Sequence, residues 1–121
     1  MDEVDQLTGR IIGCAMMVSN TLGVGFLEKV YENALAIEVR AAGLVAEQQK
    51  LLKVVYRDLV VGEFAADILV NGLVILERKA ASAISEAHQA QLLNYLKATG
   101  LGVGLILDFG TARLGVKRMV L

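Results

Sequence analysis

Asp67-Ile68-Leu69-Val70-Asn71-Gly72-Leu73-Val74-Ile75-Leu76-Glu77-Arg78-Lys79 is two apolar, β-branched runs joined by Asn-Gly. That dipeptide favours a hairpin because both residues tolerate positive φ. Carboxylates flank it, Asp67 on one side and Glu77 on the other, with Arg78 and Lys79 following. Side chains alternate along a strand, so Glu77 and Lys79 share one face while Arg78 points to the other. Whether Asp67 joins Glu77 depends on the parity of the loop. A two-residue Asn71-Gly72 turn pairs Asp67 with Leu76 and sends the carboxylates to opposite faces. A three-residue loop, either Val70-Asn71-Gly72 or Asn71-Gly72-Leu73, puts both on one face. A shared site requires the odd loop or a bulge.

Working outward, β-branched content rises from Val45 to Asp58, and Arg57-Asp58 reads as a turn into a second strand, Leu59 to Val70. With a third strand from Leu73 to about Ala80, this predicts an antiparallel meander. Upstream, Leu7, Ile11, Cys14/Ala15 and Val18 recur at helical spacing within a helix from Val4 to about Leu22. A second helix runs from about Phe26 to Ala42, stopped by Gly43. Downstream, a helix from about Ser85 to Thr99 has Ser85 as its N-cap and stops at Gly100. Strands from about Val103 to Phe109 and Val116 to Leu121 complete the order ααβββαββ. The class is α/β with a mixed sheet.

A chain of 121 residues suits a single domain, 1–121. With 55% hydrophobic residues, 21% charged and no Pro, it is patterned for a dense core. Its apolar stretches are interrupted before the ~20 residues of a membrane span, so no membrane association is expected. Asp2, Glu3 and Asp5 at the N-terminus are unlike a secretory signal, which points to the cytoplasm. Cys14 reads as a packed core thiol, and Met16 and Met17 as core filler. Twelve Lys and Arg against 13 Asp and Glu give a net charge of -1, so any phosphate-binding surface is local.

Two carboxylates side by side repel unless a cation lies between them, and hard oxygen ligands suit Mg²⁺ or Mn²⁺. Such an ion polarises a phosphate oxygen and activates water, while Lys79 orients that water or stabilises charge on phosphorus. These parts fit phosphodiester hydrolysis. Two helix-face pairs accompany them, Glu28 with Tyr31 and Gln91 with Tyr95, each one turn apart.

The run Gly25…Glu28…Tyr31, the centre Asp67…Glu77-Arg78-Lys79 and the segment Ala90-Gln91-Leu92-Leu93-Asn94-Tyr95-Leu96-Lys97-Ala98-Thr99-Gly100-Leu101 together resemble the GxxExxY proteins of the PD-(D/E)XK nuclease superfamily. The resemblance implies a restriction-endonuclease-like core, a mixed sheet flanked by helices. It implies Asp67 and Glu77 as catalytic metal ligands, joined by the carbonyl of Arg78 and by Glu28, with Lys79 as the catalytic lysine. Gln91 and Tyr95 resemble the Gln-x-x-x-Tyr motif of RecB-type nucleases and, with Tyr31, would bind substrate. The chain departs from the family's pattern at Ser19, where a His is common, at Val24, where Pro is frequent, and at Arg78, where the residue is usually apolar. A His there could bind phosphate or cap the first helix, and Ser19 can replace it only in the second role. His88, one turn before Gln91, and Ser19 are therefore peripheral. The implied activity is a Mg²⁺- or Mn²⁺-dependent deoxyribonuclease acting on DNA through metal-activated water. The alternative is a catalytically silent domain of the same fold, serving protein interaction or oligomerisation. A twofold homodimer is expected, through apolar surface on helix one or the final strand.

Overall fold

A computed structural model describes residues 2–121. Helix α1 (Glu3–Leu22) starts at Asp2, whose carboxylate accepts the backbone N–H of Asp5 at 2.8 Å. Its buried stripe of Leu7, Ile11, Ala15 and Val18 has the expected three-to-four spacing. Helix α2 (Glu28–Ala41) buries Tyr31, Leu35, Ala36 and Val39. It begins at Glu28 rather than at Phe26, and its N-cap Leu27 makes no side-chain capping bond. Strands β1 (Ala46–Tyr56), β2 (Leu59–Val70) and β3 (Val74–Lys79) follow, then helix α3 (Glu86–Thr99) and strands β4 (Val103–Asp108) and β5 (Gly115–Val120). The order ααβββαββ and the α/β class are those read from the sequence.

The sheet runs β1-β2-β3-β4-β5. Only β3 and β4 are parallel, because α3 carries the chain back across the sheet between them. These two strands are covered on both faces, which is why they read as continuous apolar runs. Helices α1 and α2 cover one face, packing on Ile68, Val70, Val74, Leu76, Leu105 and Leu107. On the other face, Leu92 and Leu96 of α3 pack on Ala66, Leu69, Ile75 and Ile106. Cys14 packs against the α1–α2 core. Met16 and Met17, expected as core filler, are instead 51% and 54% exposed, because the buried stripe of α1 passes through Ala15 and Val18 and leaves them on its flank.

Strand β3 pairs with β2 only from Ile68 to Val70, so the rest of β2 pairs with β1 alone. This arm exposes Leu51, Val55, Tyr56, Leu59, Val60 and Val61. Among the described residues no helix is long and apolar enough to cross a membrane.

Candidate active site

The hairpin loop decides whether the carboxylates meet. Val70 pairs with Val74, Leu69 with Ile75 and Ile68 with Leu76, so the loop is the three residues Asn71-Gly72-Leu73. Asn71 (φ 53) and Gly72 (φ 65) both occupy the left-handed region, and the N–H of Leu73 donates to the carbonyl of Val70 at 2.9 Å. Asn71 is held there by its side-chain oxygen, which accepts the N–H of Val45 at 2.8 Å. The same register carried one step further sets Asp67 opposite Glu77.

That next pair is not closed by backbone bonds. Ala66 packs on the α3 side and Ile68, two residues on, on the α1–α2 side, so β2 switches faces at Asp67. Across from it Gln49 takes φ 50, a value rare for a residue with a side chain. Where β2 and β3 part, the Asp67 carboxylate fills the gap, its Oδ2 accepting the backbone N–H of Arg78 at 2.8 Å. Asp67 therefore lies at the boundary of the two sheet faces.

On the α3 face stand Glu77 and Lys79, two residues apart on β3. Glu77 is buried, and its Oε1 has no hydrogen-bond partner. Burial first, and then the adjacent Asp67, with which it can share a proton, push Glu77 up to about 9. The charges of Lys79 and Arg78 pull the other way and are outweighed. Tyr95 of α3 belongs to the same environment: burial raises its pKa, and the charges of Glu77 and Asp67 raise it further. Its ring stacks on Phe64 at 3.7 Å between centroids. Gln91 lies one turn earlier on α3, exposed.

The α2 face holds a second group around Arg78. Its guanidinium lies 3.5 Å from Glu28, 3.4 Å from Glu32 and 3.4 Å from Asp67. Glu32 is fully buried, yet its pKa is lowered. Burial alone would raise it, but hydrogen bonds from Lys29, Gln48 and Gln49 outweigh that cost. The two glutamine amides lie 2.7 and 2.8 Å from its oxygens, and the Lys29 ammonium 2.9 Å.

The parallel β3–α3–β4 unit thus carries Asp67 beside Glu77, with Lys79 two residues on. A family model of the PD-(D/E)XK nuclease superfamily matches residues 5–119. The chain belongs to that superfamily. No curated protein and no solved structure matches it. PD-(D/E)XK nucleases generally use divalent metals, and the unpartnered Oε1 of Glu77 beside the Asp67 carboxylate fits such an ion. The fit stops at that pair. Among the described residues no group of three or more acidic, His or Cys side chains is disposed to hold a metal.

The side chains expected to converge thus fall into two sets. Asp67, Glu77, Lys79 and Tyr95 gather at the end of β3, and Gln91 lies exposed one turn before Tyr95 on α3. Glu28, expected beside the metal ligands, is engaged by Arg78 on the α2 face. Tyr31, expected to touch substrate, is fully buried. Its hydroxyl donates to the Gly23 carbonyl at 2.6 Å and accepts the Phe26 N–H at 3.2 Å, while its ring stacks on Phe109. It pins the α1–α2 loop. The Nδ1 of His88 accepts the N–H of Ser85 at 3.2 Å, closing a capping box on α3. Ser19 is buried in the last turn of α1, where a hydroxyl cannot serve as an N-cap; Asp2 has that role.

Sequence reading passed over Glu32, Gln48, Gln49 and Asp108. Glu32 carried a signal, since it follows Glu28 by one helical turn. The buried Asp108 accepts the N–H groups of Ala81 and Gly110, both at 2.9 Å, and so fixes the chain just beyond Lys79. Nothing in its local sequence marks it.

Proposed function

We propose that this chain is a divalent-metal-dependent nuclease of the GxxExxY type that hydrolyses DNA phosphodiester bonds. The observation that carries the reading is the juxtaposition of Asp67 and buried Glu77, one Glu77 oxygen left without a partner, with Lys79 on the same strand face. Asp67, ionised Glu77 and the carbonyl of Arg78 would hold Mg²⁺ or Mn²⁺. When bound, the ion supplies Lewis acidity toward a phosphate oxygen and makes attacking water more acidic. Glu77 gives up its proton to bind it. The Lys79 ammonium offsets negative charge growing on the phosphorus oxygens. Tyr95, held by Phe64, would donate a hydrogen bond to a phosphate oxygen, and Gln91, exposed one turn away, would add an amide donor.

The deciding experiment is incubation of the purified protein with single- and double-stranded DNA and RNA in Mg²⁺, Mn²⁺ or EDTA, beside Lys79→Ala. Cleavage of DNA that needs metal and Lys79 is expected. Cleavage of RNA alone overturns the choice of DNA, and cleavage untouched by Lys79→Ala overturns the site.

A second reading, a catalytically silent interaction domain, draws on one observation: Arg78 already occupies the carboxylates that a larger metal centre would use. In either case we propose a twofold homodimer. It is supported by β5 lying at a sheet edge with Val120 and Leu121 exposed.

A further inference from the structure

We propose that Arg78 is a tethered cation built into the acidic centre, which claims the carboxylates of helix α2 and confines a divalent ion to the Asp67–Glu77 pair. The proposal rests on the metal-centre reading above and concerns which carboxylates remain open to the ion.

Four carboxylates lie around the end of β3, Glu28, Glu32 and Asp67 about the Arg78 guanidinium and Glu77 on the opposite face beside Asp67. Carboxylates this close to one another repel unless a positive charge lies between them. Here the guanidinium supplies that charge for three. It lies 3.4–3.5 Å from Glu28, Glu32 and Asp67 alike, so it is shared among them rather than clamped to one. A planar, five-donor group is suited to bridging several carboxylates, as a lysine ammonium is not. The same residue also holds Asp67 from its backbone, through the 2.8 Å bond from its N–H to Oδ2. Both grips fall on Oδ2, while Oδ1 has a 3.4 Å contact with Gln49. The remaining oxygen with no partner is Oε1 of Glu77, which leaves β3 on the other face. The free acceptor capacity of the cluster thus lies on the α3 side.

Displacing Arg78 would be costly for reasons also visible here. Glu32 is fully buried and would lose one of its two cations, leaving only Lys29. A buried charge stripped of its partner is strongly destabilising. Arg78 therefore stays in place when an ion binds, and Glu28 remains its partner.

The test is calorimetric titration with Mn²⁺, a readout independent of catalysis. In the otherwise wild-type protein, Glu28→Gln is expected to change Mn²⁺ affinity by less than about twofold, whereas loss of a true ligand or its orienting partner weakens binding by about 10–100-fold. Arg78→Met should open a further carboxylate, tightening Mn²⁺ binding by about tenfold or adding a second ion, and Glu28→Gln in that background should reverse the gain. If Arg78→Met does not fold, Arg78→Lys replaces it. The lysine keeps a charge near Glu32 but cannot span three carboxylates, so it too should bind Mn²⁺ more tightly than the wild type. A tenfold loss in Glu28→Gln alone, or a folded Arg78 variant that binds Mn²⁺ no better than wild type, overturns the proposal. Failure of the metal-centre reading looks different: the wild type and Asp67→Asn would both ignore Mn²⁺. The Arg78 variants would still decide the inference, by gaining or not gaining a site through Glu28.

Discussion

Glu77 holds a proton near neutral pH because ionising a carboxyl group buried beside Asp67 costs more than the nearby charges of Lys79 and Arg78 return. Its folded-state pKa of about 9 lies above the ordinary 4.5, so between those values the native state binds a proton that the unfolded chain has released. Its contribution to stability is complete below 4.5 and is lost as pH rises through 9. The metal-free protein should therefore melt at progressively lower temperature across that window, and Glu77→Gln, neutral throughout, should flatten the decline. An identical slope in both proteins would assign the effect to other groups. Metal must expel the same proton, so Mn²⁺ affinity should climb with pH below about 9. At Lys79 the expectation is kinetic. Lys79→Ala should lower DNA cleavage by about a hundredfold or more with little change in melting temperature, and equal losses in both would mark a structural lysine.

At the scale of the element, the loop between α1 and α2 shows why one helix turn contributes two unlike residues. Glu28 faces the acidic centre and Tyr31 faces the core, where its hydroxyl ties down Gly23 and Phe26. Tyr31→Phe removes both bonds while keeping the ring stacked on Phe109, and should cost roughly 1 kcal/mol in a denaturant titration. Mn²⁺ and DNA binding should be unchanged. If the variant keeps full stability and loses DNA binding, Tyr31 touches substrate after all. In the β2–β3 loop, Gly72 at φ 65 has a conformation that an alanine adopts only with strain. Gly72→Ala should cost about 1 kcal/mol and, by loosening the register, weaken the metal response that depends on Asp67 meeting Glu77.

For the whole molecule, a sheet with two open edges and an arm of uncovered apolar residues leaves surface that a second copy can bury. Sedimentation over a wide concentration range should show a species twice the 13.0 kDa of one chain, and a constant 13.0 kDa mass would rule the dimer out. Ion binding should act on the folded state as a unit. Mg²⁺ or Mn²⁺ should raise the melting temperature of the wild type and not of Asp67→Asn, since ligand that binds only the native state shifts the equilibrium toward it. An equal rise in both places the ions elsewhere.

The amino-acid sequence determined the helices, the strands and their order, because spacing, caps and turn residues act within a few positions of one another. It also brought Asp67, Glu77 and Lys79 to notice, since a short hairpin joins them. It left the parity of that hairpin open between two and three residues. The choice of Asn71-Gly72-Leu73 depends on Asn71 docking against Val45, a contact made only once β1 is in place. The switch of faces at Asp67 is likewise shared with Gln49 on the neighbouring strand. The partners of Arg78 are the clearest case. Alternation along β3 told which face the side chain would take, but Glu28 stands 50 residues away, and the two meet only because α2 packs across the sheet. Local propensity fixes elements, whereas charge pairing between them is set by how those elements pack.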